Sequence, residues 1–271
     1  MRTKTLLLTA AALLAVGIVS SQAQSPVYSQ NVVGYASVAT PGAGSFYMMT
    51  CPFVIGVSNG INEVFGTTLP SGSTVYTWNI NQYVAAVYDT SDPDDYADNY
   101  PGITPPSWYQ GNDSTPLYFS DANITNVPCL KVGQGFFLVP NGPVTTTFAG
   151  TVGVNVGSAN NMSLPNGGSF YMVGSVVPYA GYLTNGTSVT GGPNLNNLPS
   201  GSTVYLWNVN QYVAYVYDTS DPDDYADNYP GQPVPVWYQG NDSTPSPAPQ
   251  IGVGQGFFIV PNTGYTWRTG L

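Results

Sequence analysis

Residues 71–102 read SGSTVYTWNINQYVAAVYDTSDPDDYADNYPG, and residues 200–231 repeat them with three changes: Thr77 to Leu206, Ile80 to Val209 and Ala86 to Tyr215. Repetition at this fidelity marks a tandem duplication, so the fold must be one that each copy can adopt. Ser73 to Trp78 and Tyr83 to Tyr88 are rich in Val, Tyr, Trp and Thr and flank the polar Asn79 to Gln82, which predicts a β-hairpin. Alternation puts Tyr76 and Trp78 on one side of the first strand, Val75 and Thr77 on the other. The replacement of Thr77 and Ala86 by larger apolar residues suggests that they occupy the less constrained face, which would turn Tyr76 and Trp78 inward.

The second half of the block places Asp89, Asp92, Asp94, Asp95 and Asp98 within ten residues, duplicated as Asp218, Asp221, Asp223, Asp224 and Asp227. Pro93 and the Asp and Asn residues predict a loop. Carboxylates this dense repel one another unless a cation bridges them, and calcium is the candidate cofactor. The spacing is not that of an EF-hand: Pro93 stands at the fifth position, Asp94 where Gly is required and Tyr100 where Glu is required. A site here would be irregular, and a solvated acidic loop is the simpler alternative.

Two basic residues, Arg2 and Lys4, precede an apolar run from Leu6 to Val19 and the small residues Ser21 and Ala23. That order predicts a signal peptide over residues 1–23, with export to the periplasm, cell surface or medium. The run is too short to span a bilayer, and no second one follows, so no transmembrane segment is expected in the mature chain. Beyond residue 23 only Lys131 and Arg268 oppose fourteen acidic residues, a net charge of −12. Nucleic acid is a poor partner for such a chain. In an exported protein two cysteines commonly pair, so a Cys51–Cys129 disulfide is expected; both belong to the first copy, with Ser175 and Gln250 as counterparts.

Further strands are expected at Asn31 to Val38, Ser45 to Thr50, Phe136 to Val139 and Thr145 to Phe148. VGQGFFLVP at Val132 to Pro140 recurs as VGQGFFIVP at Val253 to Pro261, a glycine turn feeding an apolar strand. No stretch after residue 23 has convincing helical periodicity. The expectation is an all-β protein of two tandem β-sandwich-like domains, 24–149 and 150–271.

The order NVVGY, GSFYM, VPYAGYLTNG, STVYLWNVNQYV, VGQGFF and TFAGTV resembles a group of secreted, internally duplicated β-rich repeat proteins of environmental Gram-negative bacteria. The likeness extends over nearly the whole mature chain, although the acidic loop is not part of the pattern. It implies export and a β-fold and implies no activity.

The absence of histidine excludes imidazole acid–base catalysis, Ser-His-Asp triads and His-ligated metals, so no catalytic residue is assigned. Carboxylate-pair glycoside hydrolysis is the one common enzyme class left, and the least favoured reading, because an exposed Asp-rich loop has little to raise one pKa selectively. The expected function is that of a non-enzymatic surface or extracellular-matrix protein, structural or adhesive, calcium-stabilised and self-associating through sheet edges. The alternative is a glycan-binding module: Tyr96, Tyr100 and Trp108, duplicated as Tyr225, Tyr229 and Trp237, would supply an aromatic platform beside Asp and Asn donors and acceptors.

Overall fold

The structure, a computed structural model, describes residues 33–79, 81–90, 108–111, 117, 128–153, 160–184, 193–208, 210–219, 237–240 and 246–269. The signal segment predicted over residues 1–23 lies outside them. In the first half the strands are β1 (Val33–Thr40), β2 (Tyr47–Thr50), β3 (Ser73–Asn79), β4 (Gln82–Tyr88), β5 (Trp108–Gln110), β6 (Gly135–Val139) and β7 (Val144–Thr151), with a short helix α1 (Ile61–Phe65) after β2. The second half contains β8 (Asn160–Leu164), β9 (Tyr171–Gly174), β10 (Gly181–Tyr182), β11 (Ser202–Asn208), β12 (Gln211–Tyr217), β13 (Trp237–Gln239), β14 (Gln250–Ile251), β15 (Gly256–Val260) and β16 (Tyr265–Thr269). The fold is all-β, as the sequence predicts.

Each half builds the same pair of layers. A five-stranded antiparallel sheet runs β2-β6-β3-β4-β5 in one half and β9-β15-β11-β12-β13 in the other. A two-stranded ribbon lies over it, β1 with β7 and β8 with β16. The predicted hairpins are β3–β4 and β11–β12, joined Asn79 to Gln82 and Asn208 to Gln211. Between ribbon and sheet the first core gathers Ala36 and Phe148 from the ribbon, Val75, Phe136 and Leu138 from the sheet, and Ile61, Val64 and Phe65 from α1. The second core gathers Leu164 and Trp267 from its ribbon and Val204, Phe257 and Ile259 from its sheet.

The expected orientation of β3 is reversed. Val75, 1% exposed, and Thr77 face their own core, whereas Tyr76 and Trp78 lie on the opposite face with Met48 and Phe137. Ala86 is likewise fully buried, not on a tolerant surface. The duplicated positions vary because the two cores are filled differently. In the first half, α1 inserts Phe65 against Trp108, Phe136 and Phe148. In the second, Leu206 and Tyr215 occupy the positions of Thr77 and Ala86 and pack on the core from the sheet side.

The helix was not expected, and its cause is local. The Glu63 carboxylate accepts the amides of Val57, Ser58 and Gly60 at 2.9, 3.1 and 2.9 Å and so gathers the amides ahead of the first turn. Those bonds, the Val57 amide foremost, hold its pKa below the ordinary carboxylate value.

Candidate functional site

The face of each sheet turned away from its own ribbon meets the other half, and nearly every contact there is made twice with the halves exchanged. The Trp78 Nε1 donates to the Phe170 carbonyl at 2.9 Å, and the Trp207 Nε1 donates to the Phe46 carbonyl at 2.7 Å. Trp78 stands edge-on to Phe258 at 5.6 Å; Trp207 stands edge-on to Phe137 at 5.5 Å. The Thr50 amide donates to the Gly254 carbonyl at 2.8 Å, and the Gly174 amide to the Gly133 carbonyl at 2.9 Å. Antiparallel bridges join Met49 to Gln255 and Gln134 to Val173. Tyr212 is hydrogen-bonded to Tyr83, and burial together with that bond pushes its pKa up.

This junction gives the repeated GQG its purpose. A Cβ on Gly256 would stand 2.7 Å from the Met49 carbonyl oxygen, and one on Gly135 would stand 3.0 Å from the Val173 amide nitrogen. Backbone of the opposite half occupies the space of a side chain, so glycine is what lets the halves meet.

A groove of about 450 Å3 opens beside the junction, lined by Trp78, Asn79, Lys131, Ser163, Asn166 and Phe170 among others. A second hollow of about 410 Å3 shares Val132, Met162 and Ser163 with it. Lys131 has Gly252 as its counterpart, so this polar lining belongs to one side only. Sequence reasoning missed the groove. Its one available signal was that Lys131 is the sole basic residue between Lys4 and Arg268.

Burial corrects the expected place of the two tryptophans of the aromatic platform. Trp108 is 0% exposed and Trp237 1%; they pack on Tyr88 at 5.2 Å and Tyr217 at 5.1 Å. They are core residues because β5 and β13 turn them under their sheets, where the Trp237 Nε1 donates to Thr184 Oγ1 at 3.1 Å. Tyr96, Tyr100, Tyr225 and Tyr229 lie outside the described residues, as do Asp92, Asp94, Asp95, Asp98, Asp221, Asp223, Asp224 and Asp227. The two described members of the acidic set have structural partners: Ser71 Oγ donates to Asp89 at 2.9 Å and Ser200 Oγ to Asp218 at 2.6 Å. Among the described residues no group of three acids, histidines or cysteines stands close enough to hold a metal. In the chain, the acidic segments follow β4 and β12 and precede the outermost strands β5 and β13.

No disulfide joins Cys51 and Cys129. The Cys51 thiol is fully buried, donates to the Phe53 carbonyl at 3.3 Å and accepts from Asn59 Nδ2 at 3.8 Å. The same Asn59 amide also donates to the carbonyls of Phe53 and Leu130, which commits the thiol to a local network. Cys129 sits on a segment bridged to Gly60. Burial pushes the Cys51 pKa up to about 11, with the Phe53 hydrogen bond opposing.

Among the described residues no helix is long and apolar enough to cross a membrane. No protein-family model matches the chain, and no curated protein or solved structure is detectably similar to it.

Proposed function

We propose that this chain is an exported, non-enzymatic structural or adhesive protein of the cell surface or extracellular matrix. The observation that carries this reading is the use to which the repeated residues are put. The hairpin aromatics Tyr76, Trp78, Tyr205 and Trp207 join the two halves, and Trp108 and Trp237 fill the cores. Each of the three acidic residues among the described ones, Glu63, Asp89 and Asp218, serves a backbone amide or a serine hydroxyl. The duplication therefore supports a body in which the same acidic sequence follows the hairpin of each half, a repetition suited to linking neighbours through calcium. The test is light scattering and thermal melting of the mature protein in calcium, in chelator and in sodium at matched ionic strength. Calcium-specific association or stabilisation supports the reading; equal behaviour in all three removes calcium from it. Intact mass of the exported form, expected to begin near Gln24, tests export.

The groove favours a second reading, a glycan-binding module. Its volume suits one or two sugar rings, with Trp78 and Phe170 as apolar surface and Asn79, Lys131, Ser163 and Asn166 as hydrogen-bonding groups. A glycan array with the mature protein tests it. Binding that is lost on Lys131→Ala and Asn79→Ala with the melting temperature unchanged supports the module, and absence of binding on the array discards it.

A further inference from the structure

Where a residue meets its own counterpart across the junction, the twofold pattern breaks at one buried position. Five pairs of equivalent residues across the junction are of the same type: Phe46 and Phe170, Met48 and Met172, Trp78 and Trp207, Gln134 and Gln255, Phe137 and Phe258. Thr50, however, corresponds to Gly174, and these two residues face each other. A Cβ placed on Gly174 would lie 2.3 Å from the Cβ of Thr50 and 2.3 Å from its methyl carbon. Because a residue and its own counterpart meet there, the position lies on the approximate twofold axis. Thr50 is fully buried, and its Oγ1 donates to the Gln134 carbonyl at 3.0 Å, which fixes the side chain against Gly174.

The paired contacts of Trp78 and Trp207, of Phe46 and Phe170, and of Phe137 and Phe258 would be reproduced if two first halves, or two second halves, came together. At the axis the like combinations fail. Two first halves would oppose two threonine Cβ atoms at about the same 2.3 Å, far inside the separation of ~3.5 Å at which carbon atoms rest. Two second halves would oppose two glycines and leave a void where the threonine methyl sits. We infer that Thr50 and Gly174 act as a knob and a hole that select unlike halves, so that a second copy of this chain can engage the junction only by exchanging halves.

Gly174 has none of the backbone conformations that demand glycine, and the atoms nearest to a side chain placed there are those of Thr50 in the opposite half. In a swapped chain the hydroxyl would meet the Gln255 carbonyl, the counterpart of Gln134. The experiment uses three full-length mature chains: Gly174→Thr, Thr50→Gly, and the swap Thr50→Gly/Gly174→Thr. The Gly174→Thr chain, with a knob in both halves, is expected to melt at least 10 °C below wild type. The swap is expected to recover most of that loss. If Gly174→Thr does not fold, recovery of a folded, monomeric swap carries the same information. A swap as unstable as Gly174→Thr, or a Gly174→Thr chain as stable as wild type, overturns knob-and-hole selection. Mixing Gly174→Thr with Thr50→Gly after joint unfolding and refolding pairs every knob with a hole between chains. A 1:1 complex of twice the monomer mass, absent when Gly174→Thr is refolded alone, is the expected result. Recovery of monomers only overturns the exchange between copies.

Discussion

Replacement of Trp108 by alanine separates a core tryptophan from a ligand platform. Trp108 is fully buried and touches Tyr88 and Phe65, with ring centroids 5.2 and 6.2 Å away. Truncation of a buried Trp costs about 3–5 kcal/mol through lost transfer energy and the cavity left behind. In a unit of this size 1 kcal/mol moves the melting temperature by roughly 2–4 °C, so the expected fall is about 6–20 °C. Trp237→Ala should fall within the same range, since Trp237 is equally buried and packs on Tyr217. The assay is thermal unfolding followed by near-ultraviolet circular dichroism, with chemical denaturation to confirm the free-energy change. An exposed platform residue would behave differently, because surface substitutions usually stay within about 0.5 kcal/mol. A Trp108→Ala protein that keeps its melting temperature within 2 °C would refute the placement of β5 over the core.

Glu63→Gln should destabilise the protein at neutral pH and match wild type in strong acid. The folded pKa of Glu63 is depressed, so its contribution is present above the unfolded value near 4.5 and lost as pH falls through the folded one; denaturant midpoints from pH 7 down to pH 2 measure this. Cys51 should resist alkylation in the native protein at pH 8, since burial and a pKa of about 11 leave little thiolate, and it should label once the chain is unfolded without reductant. Mass spectrometry of the labelled protein reads both states, and a mass that reports a disulfide in the unreduced protein would refute the network drawn around Asn59.

The strands of the hairpin were legible almost to the residue, because Val, Tyr and Trp runs around Asn79 to Gln82 leave little alternative to β3 and β4. Which way those strands face was not. Period two sorts residues into two sets but cannot say which set is buried when both faces are covered, and here the second cover is the sister half. Trp78 and Val75 both lose water, one to each layer. The tolerance of Thr77 and Ala86 to larger residues looked like exposure; it reflects two cores of different content. The five residues of α1 are too few to display a helical period, although Glu63 three residues after Gly60 was the visible trace of its start. The GQG motif read correctly as a turn into a buried strand, while the reason for its glycines lies in the other half, in Met49 for Gly256 and in Val173 for Gly135, and is invisible locally.

The ribbon of the first half pairs Val33 with Thr151, so the outermost contact of that half joins positions 118 residues apart. Among the described residues between them, the neighbouring strands that zip locally are those of the hairpin; β2 must wait for β6, and β1 for β7. Search time, not bond strength, is then the scarce quantity, because long loops must close before non-local pairs reward closure. Each half is a structure that opens and ends with the same ribbon, and a chain emerging amino end first holds β1 without its partner until Val144 to Thr151 arrive. For a protein whose first folded half must wait for more than half of its length, the order of appearance is itself a constraint on where folding can safely take place.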